Sequence, residues 1–171
     1  VMTVEEAIKT AIEYETGVRD VYASAVEQTA DPVGKRILGV LANEEQHHLD
    51  YLRSRLEQWK TTGKVTAEGL KTTLPSREVI EARVNKLKSQ MAGQDHGVAE
   101  LQTLKKALDV ELETGNFYKK IVKELPAEGQ ELFARFVEIE EGHLAIVQAE
   151  LDYASGTGFW FDFMEFNLEG G

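Results

Sequence analysis

The chain has 171 residues, 42% of them hydrophobic, enough for one domain with a proper core. Its 30 acidic residues against 19 basic ones give a formal charge of -11, which repels phosphate backbones and argues against nucleic acid as a partner. There is no cysteine, which excludes disulfides, zinc ribbons, thiol catalysis and cysteine-ligated iron–sulfur or rubredoxin-type centres. No apolar run approaches the ~20 residues that span a bilayer, and no signal-peptide pattern opens the chain. A soluble, cytoplasmic protein without a membrane partner is the expectation.

Capping residues and periodicity mark the elements in chain order. "TVEEAIKTAIEYETGVRDVYASAVEQTA" opens on a capping box, Thr3 at the N-cap and Glu6 at N3, and its apolar residues recur at helical spacing. Asp31 and Pro32 cap and start a second helix that the pattern carries to about Trp59. "TTGKVTAEGLKTTLP" reads as a linker, and "SREVIEARVNKLKSQ" as a shorter helix starting from Ser76. After "MAGQDHG", Asp95 is placed to cap a third long helix running to about Glu124. Pro126 starts a fourth, expected to end near Ala154, where Gly156 and Gly158 break it. The aromatic tail "FWFDFMEFNLEGG" follows. Strand signals are nearly absent. The reading is all-α: a four-helix bundle of residues 1–156, with a long helix-containing crossover over 60–97, then a tail over 157–171.

Each long helix interrupts its own apolar stripe with ionisable groups. The first stripe is Ile8, Ala11, Ile12, Glu15, Val18, Tyr22 and Val26; the second is Ile37, Leu41, Glu45, His48, Leu52, Leu56 and Trp59. The third is Leu101, Leu104, Leu108, Glu111, Tyr118 and Ile121; the fourth is Phe133, Phe136, Val137, Glu140, His143, Val147 and Leu151. Four carboxylates and two imidazoles thus aim at one core. Buried carboxylates are costly to desolvate unless something compensates their charge, and a shared cation does so.

The chain also repeats itself. "AIEYETGVRDVY" (11–22) aligns with "ALDVELETGNFY" (107–118), setting Glu15 on Glu111 and Tyr22 on Tyr118. "EEQHHL" (44–49) aligns with "IEEGHL" (139–144), setting Glu45 on Glu140 and His48 on His143. Two helical hairpins related in this way would pack about a pseudo-twofold axis. Each hairpin offers one glutamate and one Glu-x-x-His, whose two side chains share a helix face. A single Glu-x-x-His carries little weight in so acidic a chain. Two at matched positions, each with a matched carboxylate as third ligand, form a six-residue set suited to two cations.

In "LANEEQHHLDYL", Glu44 and His47 form a competing pair. They project toward Tyr51, Arg55 and Gln58, a more polar face, so they are read as solvated neighbours of the site, with His47 at most a supporting donor.

Glu15, Glu45-x-x-His48, Glu111 and Glu140-x-x-His143 resemble the di-iron carboxylate motif of the ferritin-like superfamily. "LANEEQHHLDYL" and "ALDVELETGNFYKKI", with the helix-containing crossover, are most similar to the rubrerythrin family over roughly residues 3–154. The resemblance implies a ferritin-like bundle holding two iron ions, with Glu45 and Glu140 bridging and Glu15 and Glu111 terminal. It implies a peroxidase that reduces hydrogen peroxide to water, and a homodimer. Manganese or a mixed metal pair suits the same oxygen-rich ligands.

Two departures stand out. Rubrerythrins proper carry a cysteine-rich rubredoxin domain, and none is present here, so electrons would come from an external donor, a rubredoxin-like protein or a flavin reductase. The family also uses an extra glutamate on the third helix; one turn after Glu111 this chain has Thr114, and Glu113 points elsewhere. The alternative within the same superfamily is a ferroxidase or iron-handling protein that oxidises Fe(II) with dioxygen. The long crossover weighs against a cage subunit.

Tyr22 and Tyr118 lie two turns from Glu15 and Glu111 on the same stripes, and are candidates to hydrogen-bond ligand carboxylates or donate a proton. Trp59 reads as core, and His96 beside Asp95 as loop surface. The tail reads as a segment packed over the bundle or across a dimer interface.

Overall fold

The computed structural model describes residues 2–87, 98–157 and 159–163. Among them are five helices and no strand: α1 (Val4–Gln28), α2 (Pro32–Thr62), α3 (Arg77–Leu87), α4 (Val98–Glu124) and α5 (Ala127–Thr157). The local signals hold where they are strongest. Thr3 Oγ1 accepts from Glu6 N (3.1 Å) and Thr3 N donates to Glu6 Oε2 (2.8 Å), closing the capping box. Asp31 Oδ1 accepts from Val33 N (2.8 Å) and Gly34 N (3.2 Å), with Pro32 at the first helical position.

Two helix ends lie further along than periodicity placed them. The second helix runs three residues past Trp59, to Thr62, and stops at Gly63, whose φ of 68° is the left-handed conformation that glycine adopts without strain. The fourth long helix passes through Gly156 to Thr157, whose hydroxyl donates to Tyr153 O (2.7 Å). The proposed caps at Asp95 and the loop residue His96 lie outside the described residues. No described helix is long and apolar enough to cross a membrane.

α1 packs on α2 and α4 on α5, and the two hairpins meet through α1 and α4; α3 lies against α5. The core divides in two along the bundle. One cluster joins Val18 and Tyr22 of α1, Ile37 and Leu41 of α2, Leu101 and Leu104 of α4, and Ile146 and Val147 of α5. The other joins Ile8 and Ala11, Leu52, Tyr118 and Ile121, and Phe133 and Phe136. On every long helix buried ionisable residues lie between these two sets, so a polar layer separates two apolar ends of the bundle. Trp59 is half-buried at the edge of the second cluster.

The crossover runs along the bundle surface. Tyr51 Oη donates to the carbonyls of Thr66 (3.1 Å) and Glu68 (2.9 Å), tying the segment to α2. Further on it crosses α5 so closely that a Cβ on Gly142 would lie 3.1 Å from Pro75 O. The described part of the tail packs over the first cluster. Trp160, Phe161 and Phe163 are buried there, Trp160 seats on Gly34, Asp162 pairs with Arg36, and Arg83 donates to Phe163 O (3.0 Å).

Candidate metal centre

All six residues that break the stripes are buried: Glu15, Glu45 and Glu111 are 0% exposed, and His48, Glu140 and His143 are 1%. Glu45, His48, Glu140 and His143 each offer one ligand atom within a sphere where all four lie within 4.8 Å of one another. Glu15 and Glu111 stand outside that foursome but border it, His143 Nδ1 lying 3.9 Å from Glu111 Oε1. His143 Nδ1 is also 2.9 Å from Glu45 Oε1 and 3.6 Å from Glu140 Oε1. The two imidazoles stack, with centroids 5.4 Å apart and planes 11° from parallel.

The tyrosines bond to carboxylates, but across the hairpins rather than along one helix. Tyr22 of α1 donates to Glu111 Oε1 of α4 at 2.6 Å, and Tyr118 of α4 donates to Glu15 Oε1 of α1 at 2.6 Å. Each phenol keeps its proton, because burial and the carboxylate it faces raise its pKa well above 10.

Crowding of the carboxylates sets the charge of the site. Burial, then the negative field of Glu15, pushes the Glu45 carboxyl well above its usual range; burial, then Glu111, does the same to Glu140. For Glu15 burial also favours the neutral acid, but the Glu45 carboxyl, the His48 ring and the Tyr118 hydroxyl outweigh it and hold the pKa low. Burial lowers the His143 pKa. For His48 burial acts the same way, yet Glu44 and the nearby carboxylates prevail and raise it.

The expectation for Glu44 is overturned. Glu44 is buried, 5% exposed, with Oε1 3.2 Å from His48 Nε2 and Oε2 accepting from Thr73 Oγ1 at 3.3 Å. Burial works to raise its pKa, but the His48 and His143 rings and Thr72 hold it at about 2. The polar face of α2 is real; the crossover covers it. The sequence signal for this is the four-residue spacing from Glu44 to His48, which suits a buried pair and a surface pair alike. His47 is exposed, as expected. Glu113 is exposed too, while Thr114, one turn beyond Glu111, is buried with its hydroxyl on Val110 O (2.8 Å).

The donor set fits a cation on an independent count. Twelve buried side-chain nitrogen and oxygen atoms of the described residues have no hydrogen-bond partner, and ten of them belong to Glu15, Glu45, His48, Glu111, Glu140 and His143. His48 Nε2 is among the ten: Glu44 approaches it at ion-pair distance without the alignment of a hydrogen bond. Unsatisfied groups at this density are costly unless a cation takes up their lone pairs. No family model, curated protein or solved structure matches this chain. The chemistry of the cluster therefore carries the functional reading.

Proposed function

We propose that this chain is a ferritin-like di-iron carboxylate protein of rubrerythrin type, reducing hydrogen peroxide to water with electrons from a separate donor. The observation that supports it is the convergence of six residues in one buried layer, ten of whose side-chain nitrogen and oxygen atoms lack a hydrogen-bond partner. Their distribution suggests roles. Both oxygens of Glu45 and of Glu140 lack partners, which suits these two carboxylates to bridge two cations. Glu15 and Glu111 each have one oxygen occupied by a tyrosine and one without a partner, which suits a terminal ligand. His48 and His143 would each end on one cation through Nδ1.

Two ferrous ions held there would supply the two electrons that, with two protons, convert one hydrogen peroxide to two waters, an external donor later returning the electrons to the ferric pair. The protein's own part is to exclude bulk water with its two apolar clusters and to fix the terminal carboxylates through Tyr22 and Tyr118. Protons that the crowded Glu45 and Glu140 carry are released when a cation takes their place.

The test is anaerobic loading with two equivalents of Fe(II) per chain, then rapid mixing with hydrogen peroxide or dioxygen while following ferric absorbance in the near ultraviolet. Much faster oxidation by peroxide is expected. Equal or faster oxidation by dioxygen would point instead to a ferroxidase, and failure to retain iron would remove the di-iron site itself.

A further inference from the structure

His48 and His143 occupy matched places in the repeat, yet their surroundings differ on the side away from the carboxylates. Both rings turn Nδ1 inward: His48 Nδ1 lies 3.9 Å from Glu45 Oε2 and His143 Nδ1 2.9 Å from Glu45 Oε1. Outward, His48 Nε2 meets the buried carboxylate of Glu44 at 3.2 Å, and Thr73 holds that carboxylate from its other oxygen. The repeat places Ile139, 3% exposed, where Glu44 stands in the first half, and His143 Nε2 has no hydrogen-bond partner.

We propose that Glu44 is a positioning residue that makes the two cation positions unequal, so that the position served by His48 fills first and empties last. The inference rests on the dinuclear reading above. A carboxylate beside the outward nitrogen of a ligating imidazole fixes the N–H there, aims the lone pair of the inward nitrogen and raises its basicity. A small turn of the His48 ring or the Glu44 carboxylate aligns that bond. His143 has no hydrogen-bond partner at its outward nitrogen, and its ring stacks on that of His48. Removing such a carboxylate typically weakens metal binding by about 10–100-fold.

Cobalt(II) is a suitable probe, titrated calorimetrically and against a competing chelator. The unsubstituted protein should show two events separated by roughly 10–100-fold in affinity. Glu44→Ile copies the other half of the repeat; it should weaken the tighter event by that factor, leave the weaker one in place and so bring the two together. Glu44→Gln keeps an acceptor without the charge, should fall between, and serves if the isoleucine variant folds poorly. A merely structural role would weaken both events. Proton NMR gives a second readout: one equivalent of cobalt should bring up a single shifted, exchangeable imidazole N–H, and the second equivalent another. Two events of equal affinity in the unsubstituted protein, or equal losses at both positions in the variants, would overturn the inequality and leave the dinuclear site standing. Binding of fewer than two cobalt ions would overturn both.

Discussion

Tyr118 and Glu15 form a buried bond of 2.6 Å between two helices, and Tyr22 and Glu111 form its counterpart. Tyr118→Phe keeps the ring and strips the donor, leaving Glu15 Oε1 buried without a partner. It should cost about 1–3 kcal/mol in urea denaturation, and Tyr22→Phe a similar amount. Glu150 sets a different experiment. It is 1% exposed, Oε1 accepts from Phe161 N at 2.6 Å, and burial raises its pKa well above 4.5 despite that bond. A carboxyl raised in the folded state holds a proton that the unfolded chain has already released, so its contribution is full below about 4.5 and declines as pH climbs toward the folded value. Over that window the loss approaches ~1.4 kcal/mol per pH unit. Glu150→Gln keeps the acceptor and cannot ionise; its melting temperature should fall less with rising pH than that of the unsubstituted protein. The burial of the six ionisable residues is legible because each replaces an apolar residue on a regular stripe. Glu150 also lies one heptad beyond His143, beside the row of Val147 and Leu151. Glu44 was not legible, since its burial depends on a crossover whose path no local pattern encodes.

Helix starts are readable because a cap is a local chemical event, and both Thr3 and Asp31 perform as their side chains require. Helix ends are less so. Lys60, Thr61 and Thr62 add no apolar periodicity, so the last turn of α2 is held by backbone bonds and by Gly63 beyond it. Packing between elements leaves even less trace in sequence. Gly34 shows this: a Cβ there would stand 2.5 Å from Trp160 Cε2 and 2.9 Å from Thr29 Cγ2. Gly34→Ala should push the tail off α2 at a cost of about 1–3 kcal/mol. Trp160 emission would shift to the red against the half-buried Trp59, measured by fluorescence alongside thermal melting.

At the scale of the whole molecule, a polar layer divides the core, and cation binding should bear strongly on stability. Manganese(II) at one hundred times the dissociation constant of the tighter position should add ~2.7 kcal/mol from that position alone, or about 5–11 °C in melting temperature for a domain of this size; a chelator should reverse it. On the proposed reading Glu45 and Glu140 give up protons to bind, so at a fixed manganese concentration the rise should be larger at pH 8 than at pH 6. The crossed tyrosine bonds carry a consequence of another kind. Each hairpin supplies the phenol that the other hairpin's carboxylate accepts from, and neither serves its own. The pattern is unchanged when the halves trade places, so two identical copies of one hairpin would contain both bonds. The single chain thus follows the bonding rule of a self-pairing hairpin, and Glu44, where the second half has Ile139, breaks the equivalence of the two halves.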